Sequence, residues 1–382
     1  MSNRIFYLDG LRGWAALVVF FAHLFRQLLL PYNSVEPDGL VQYLMYKTPL
    51  YILFHSSIAV KAFFVVSGFS LSYGFFKTND YVLLKRMAVF RVFRLGIPML
   101  FSALMAYFFM KTHLNFNQEA AQILGSKWLL KLYNFDASFF DATYGTLTYN
   151  LTGFGEVYNK YNVGFWTMPF EFRASMAIFL LLAIFGKYQV RYVIYFLFVY
   201  FLKESMFLGF VLGVMVCDLT VNGRIQEKIR SLVDPLNLRR VEILLLVCLV
   251  CFFWAMRGFQ HFTSILTYYV VNESFLEFVL PTVLVVLATL NGFVSRIFST
   301  PVSVFLGKIS FSLYLVHIPI ITSFSCWGFV NWHDVVEDKL LLAVIIGVPT
   351  FVLTIITSYI FHDLVENRIM MYAKRRVMMI FG

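Results

Sequence analysis

Charge is scarce in this chain. Of 382 residues only 14% are Asp, Glu, Lys or Arg, against about 25% in an ordinary soluble domain. A cytosolic enzyme or a disordered regulator needs more charge than this to stay hydrated, so both classes are excluded. Cysteine is scarce too. The four residues Cys217, Cys248, Cys251 and Cys326 are too few for a small disulfide scaffold. Cys248 and Cys251 form a C-x-x-C inside an apolar run, where the expectation is packing rather than redox or metal chemistry, and no metal site is expected. Acidic residues number 21 against 31 basic ones, a net charge of +10. In a soluble protein that excess suggests nucleic acid. Here it fits the basic bias of cytoplasmic membrane loops, and no nucleic-acid partner is expected. Repeats and low-complexity segments are absent. What is abundant is apolar: 60% of residues are hydrophobic and 19% aromatic.

A bilayer crossing takes about 20 mostly apolar residues. Ten segments qualify, at 11–30, 50–76, 92–110, 165–186, 188–202, 204–221, 241–256, 275–292, 305–327 and 340–362. The fold class expected is therefore all-α, a polytopic membrane helix bundle of about ten transmembrane helices forming a single domain over 1–382. The first segment carries Arg12, His23 and Arg26 and lacks a small-x-small cleavage site, so it does not read as a signal peptide. With the N-terminus inside, the inner segments hold 19 of the 31 basic residues and the outer ones 8. This bias places both termini in the cytoplasm, with a basic tail at 363–382. The stretch 111–164 is the long outer loop and is expected to form an extracytoplasmic cap. Asn150-Leu151-Thr152 and Asn272-Glu273-Ser274 are sequons on that side, relevant only in a eukaryotic secretory pathway.

Ionisable groups at bilayer depth cost roughly 2.5–3.5 kcal/mol each on insertion scales and usually mark a site. Arg12, His23, Lys61, Glu171, Arg173 and His317 are such groups. Arg12 and His23 are eleven residues apart, three helical turns plus about 20°, so they share a face about 16 Å apart along the axis. Glu171 lies about 9 Å, and His23 about 10 Å, below the outer ends of their spans. His317 comes at a similar depth. One carboxylate and two imidazoles at one level form a candidate acid/base cluster, with Lys61 placed to neutralise Glu171. Each also has a plain reading, a polar group satisfied by local backbone or by a structural ion pair.

Arg91 and Arg94 are i, i+3 neighbours at the cytoplasmic entry of the third span. Two guanidinium forks on one face, with Arg12 at the same level, suit the phosphates of a donor. Positive-inside bias or headgroup contact is the plainer account.

Five motifs then occur in order. Leu8-Asp9-Gly10-Leu11-Arg12-Gly13 is followed by His23. Next come Phe63-Phe64-Val65-Val66-Ser67-Gly68-Phe69, Arg91-Val92-Phe93-Arg94 and Phe165-Trp166-Thr167-Met168-Pro169-Phe170-Glu171-Phe172. Last is Leu306-Gly307-Lys308-Ile309-Ser310-Phe311-Ser312-Leu313-Tyr314-Leu315-Val316-His317. Together they resemble the acyltransferase 3 family of integral membrane proteins, with its Arg-x10-His signature. A late Glu366-Asn367 resembles a further family motif, but Arg368 stands where proline is common, and Glu366 is given no role.

The resemblance implies transfer of an acyl group, usually acetyl, from cytoplasmic acyl-CoA to a hydroxyl at the outer face, commonly on a surface glycan. It implies a co-substrate rather than a tightly bound cofactor. On this reading Arg12, Arg91 and Arg94 hold the donor phosphates. His23 is general base or acylated nucleophile, with Glu171 orienting or charging its ring. Trp166 stacks on a sugar. Ser67 or Tyr314 stabilises the oxyanion, and His317 supports the cluster. Some relatives carry a fused extracytoplasmic hydrolase-like domain; here that partner is expected to be separate or absent. A bacterial inner membrane is the expected location. The alternative class is a proton-coupled transporter relaying through His23, Glu171, Lys61 and His317, and a third is a non-catalytic scaffold or flippase.

Overall fold

A computed structural model describes residues 5–30, 40–154, 159–223, 225–232, 235–258, 273–373 and 375. Arg4, Arg224, Asn272, Lys374, Arg376 and the rest of the expected tail beyond 375 lie outside them. Within the described residues the chain is helical throughout, with no strand. The helices are α1 (Phe6–Leu24), α2 (Leu40–Lys47), α3 (Ser56–Thr78), α4 (Tyr81–Lys111), α5 (Asn117–Leu124), α6 (Lys127–Lys131), α7 (Met168–Phe185), α8 (Arg191–Phe201) and α9 (Phe207–Val221). They continue as α10 (Ile225–Leu232), α11 (Pro235–Gly258), α12 (Glu273–Leu276), α13 (Val279–Thr289), α14 (Phe293–Phe298), α15 (Pro301–Ile320), α16 (Cys326–Trp332) and α17 (Lys339–Phe361).

The expected spans coincide with helix over most of their length. Among the described residues six stretches are long and apolar enough to cross a membrane: Phe6–Leu29, Ser56–Thr78, Tyr81–Lys111, Val163–Phe185, Pro301–Trp332 and Lys339–Ala373. The shorter apolar helices α8, α9 and α13 run 10–17 residues, less than a perpendicular crossing needs. Six helices are thus candidate spans among the described residues, and the expected ten are not established.

The chain divides into two compact units. The first holds Met1–Ala15, Leu44–Ala88 and Ala174–Lys308; the second holds Ala16–Tyr43, Val89–Arg173 and Ile309–Gly382.

In the first unit, α3 and α9 cross closely. A Cβ on Gly68 would stand 2.1 Å from the Phe210 carbonyl oxygen, and one on Gly213 would stand 2.0 Å from that of Val65. Only bare backbone fits, the usual device where helices pack without a hydrophobic drive between them. The Ser67-Gly68-Phe69 motif thus has a packing role. The Leu8–Gly13 motif has one too, since Gly13 abuts Leu306 and Gly307. Cys248 and Cys251 do not pack as expected: both thiols are free and exposed on α11.

In the second unit, Pro319 lies inside α15. It has no N–H, so the Leu315 carbonyl four residues earlier lacks its helical donor. Ser102 Oγ (2.9 Å) and Asn162 Nδ2 (2.6 Å) donate to it instead. This joins α4, α15 and the segment entering α7. Part of the stretch 111–164 packs along α4. Phe139 meets Tyr107 near the end of α4, with ring centroids 5.9 Å apart. Leu147 and Leu151 instead reach Gly96, where a Cβ would stand 3.3 and 3.4 Å from their methyl carbons. The step from 107 back to 96 is about 16 Å along α4. The π-type helix Asp141–Asn150 therefore runs antiparallel beside α4. Its C-terminal carbonyls need partners there. Arg173 supplies them, donating to Thr152 O at 2.8 Å and to Gly153 O. Asn150 is 2% exposed, so the first sequon is shielded.

Candidate active site

His23 ends α1 in the second unit, and His317 sits on α15. The two rings are bonded edge to edge: His23 Nδ1 and His317 Nε2 are 3.0 Å apart, with the ring planes within 15°. His317 is fully buried, and its Nδ1 lies 3.0 Å from the Leu313 carbonyl oxygen one turn back. Phe20 and Tyr314 close around it. Trp128, on α6 of the long loop, lies parallel to His23 within 12°, centroid to centroid 5.3 Å. The loop thus places an indole beside the imidazole. Nothing in the hydrophobic pattern singles out Trp128 among six tryptophans.

Glu171, near the start of α7 and 9% exposed, forms an ion pair with Arg91 of α4. Among the described residues the hydrogen bond to His23 comes from His317; Glu171 does not orient that ring. Arg91 is half-buried against the carboxylate, whereas Arg94, one turn on, is exposed. The two arginines expected to work as one fork therefore have different surroundings.

The Trp-Thr block before Glu171 is a single 3-10 turn, Val163–Thr167, whose Asn162 side chain accepts from Gly164 N. Tyr314 OH donates to the Gly164 carbonyl at 3.0 Å and contacts Thr167 Oγ1 at 3.1 Å. With its one proton given to a carbonyl, Tyr314 is a clamp on that turn rather than an oxyanion donor. Trp166 packs its ring against Phe170. In the loop itself, Tyr133 donates to Tyr161 O, and burial raises its phenol above the ordinary value, so it acts as a neutral donor. Ser312 donates to Glu366, with His362 Nδ1 3.5 Å from the same carboxylate oxygen.

The other expected residues belong to the first unit. Arg12 is half-buried, and its Nε has no hydrogen-bond partner among the described residues. Ser67 is 6% exposed on α3. Lys61, 2% exposed, pairs with Glu277 and not with Glu171. Glu277 also accepts from Ser57 Oγ at 2.6 Å and lies 3.5 Å from His55 Nε2. A second buried pair joins Arg191 and Asp218 through two bonds, 2.6 and 3.1 Å; Tyr195 and Asn222 add donors to the same carboxylate. Glu242, fully buried, accepts from Phe293 N and Val294 N, capping α14. Asp218, Glu242 and Glu277 all lie inside expected spans. A count of acids within apolar runs would have found them.

An imidazole pair with one ring buried and the other half-buried against the long loop can accept a proton from a hydroxyl brought beside it. Known proteins resemble the chain along most of its length. A curated relative, the O-acetyltransferase PaAT-1 of Phomopsis amygdali, is 25% identical over 372 aligned positions, covering 85% of this chain and 73% of that protein. No solved structure matches. The family model described as an acyltransferase domain matches residues 5–362, nearly the whole length, and the chain belongs to the acyltransferase 3 family.

Proposed function

We propose that this protein is a membrane O-acyltransferase that moves an acyl group, acetyl in the first instance, from cytoplasmic acyl-CoA to a hydroxyl of an extracytoplasmic acceptor, most naturally a surface glycan. The observation that carries the reading is the His23–His317 pair, in a chain of this family and flanked by Trp128 of the loop. The acceptor oxygen attacks the thioester carbonyl. Its proton passes to His23, the C–O bond forms, the C–S bond breaks, and the proton leaves with the thiol.

The structure changes how the work is divided. On this reading Arg94, exposed on α4, is the proposed donor-phosphate contact in the second unit, and Arg12 of the first unit is a separate candidate for that role. Arg91 holds Glu171, and together they brace α4 against α7. Charge bias puts both termini on the donor side, and an inner membrane of bacterial type is the proposed location. The transporter reading needs Lys61 and Glu171 in one relay. Lys61 and Glu171 are instead engaged with Glu277 and Arg91, and the transfer assay below separates the two readings.

The test is transfer of label from acetyl-CoA to hydroxyl acceptors by protein purified into nanodiscs. Turnover that disappears in His23→Ala, with donor binding kept, supports the reading. Bound donor with no transfer to any acceptor would overturn it.

A further inference from the structure

His317 lies one helical turn after Leu313, and that backbone carbonyl decides which way the histidine pair is polarised. A carbonyl oxygen only accepts. The 3.0 Å contact from His317 Nδ1 to Leu313 O therefore puts the His317 proton on Nδ1. The Nε2 of a neutral His317 then carries a lone pair, and it faces His23 Nδ1 at 3.0 Å. Two lone pairs cannot share that distance, so His23 Nδ1 bears the hydrogen and donates. The Nε2 of His23 is left as the basic atom, and no other hydrogen bond to that ring occurs among the described residues. Direction therefore runs from backbone to base: Leu313 carbonyl, His317, His23.

The geometry points to His317 as the positioning residue of the transfer reaction: it holds His23 in the tautomer whose Nε2 receives the acceptor proton. The inference rests on the acyltransferase reading. During transfer the acceptor O–H gives its proton to His23 Nε2 as the C–O bond forms. The same proton moves from Nε2 to sulfur as the C–S bond breaks. His23 Nδ1–H stays donated to His317 throughout, and that bond strengthens while His23 is an imidazolium. A ring that flipped would present Nδ1 to the substrate and lose its orientation. In a catalytic histidine elsewhere, loss of the correct tautomer with geometry intact costs about 10⁴-fold in rate.

The closing experiment compares His317→Leu, which removes the acceptor, with His317→Gln, whose side-chain oxygen can take the His23 Nδ1–H. Two readouts are needed. In transfer assays we expect His317→Leu to lose on the order of 10²-fold or more in kcat with KM for acetyl-CoA little changed. His317→Gln should recover most of it, with the alkaline plateau of the pH–rate profile displaced relative to wild type. Separately, carbethoxylation of His23 by diethyl pyrocarbonate, mapped by mass spectrometry, reports the nucleophilicity of the ring without any acyl donor. It should fall in His317→Leu and return in His317→Gln. Equal carbethoxylation in all three proteins overturns the positioning role whatever the transfer data show, as does wild-type kcat with an unchanged pH profile in His317→Leu. Equal loss in both variants with both folded also overturns it, because a packing role gives no acceptor-specific rescue. If wild type transfers nothing to any acceptor while the carbethoxylation order holds, the acyltransferase reading fails and the polarised pair stands.

Discussion

Asp218 of the first unit and His23 of the second are both ionisable groups held inside apolar helices, and their surroundings differ. Asp218 in the first takes two bonds from Arg191, one from Tyr195 and one from Asn222, so every lone pair has a donor. Glu277 likewise gathers Lys61 and Ser57, with His55 close by. His23 in the second unit has one bond, to His317, and an indole beside it. A saturated group is inert and structural. A ring oriented on one side and uncommitted on the other can do chemistry. Depth in an apolar span does not separate the two cases; the number of satisfied valences does.

The sharpest way to break this comparison is His23→Ala. Loss of a general base costs about 10²–10⁴-fold in rate. Transfer should fall by that much while the thermal transition and acetyl-CoA affinity hold. Normal turnover in folded protein would move the base to another residue.

Asp218→Ala should do the reverse. Removing one partner of a buried pair costs about 3–5 kcal/mol because the other charge is stranded, and Arg191 has little exposure to relieve it. The midpoint of thermal unfolding should drop several degrees, with activity per folded molecule near wild type. An unchanged midpoint would mean that water reaches Arg191.

Arg94→Ala sharpens the contrast between the two arginines of the Arg-x-x-Arg motif. Losing a charge-assisted phosphate contact costs about 1.5–3 kcal/mol. Acetyl-CoA affinity, read by calorimetry in nanodiscs, should weaken accordingly with stability unchanged. Arg91→Ala should instead lower stability, because it strands Glu171. Equal effects of both on affinity alone would restore the two-fork reading.

The smallest effect is expected for Trp128→Ala. Aromatic pairs contribute about 0.5–1.5 kcal/mol beyond the area they bury. KM for the acceptor should rise several-fold, with KM for acetyl-CoA fixed. A change confined to donor KM would place the indole on the other substrate.

Much of this was legible in the residues, because the signals are local. Apolar runs of about 20 residues locate α1, α3, α4, α7, α15 and α17 without any partner being known, since a span must satisfy its own backbone. His23, Glu171 and His317 stand out because each interrupts such a run. Other features were not legible, for a physical reason: ion pairing is a choice among partners far apart in sequence. Lys61 and Glu171 were both visible, yet Lys61 pairs 216 residues away and Arg91 takes Glu171 across 80. Charge alone does not rank those options.

The course of 139–151 back along α4 was hidden for a similar reason. Its composition suits an outer loop. Its path depends on Gly96 offering a flat place on α4 and on Arg173 waiting for two carbonyls. Composition, periodicity and motif order thus determine a helical membrane protein of the acyltransferase 3 family and name its histidine. Packing decides which groups that histidine meets. The His23–His317 bond joins residues 294 apart, and its polarity comes from a backbone carbonyl whose position exists only once α15 is formed and seated beside α1.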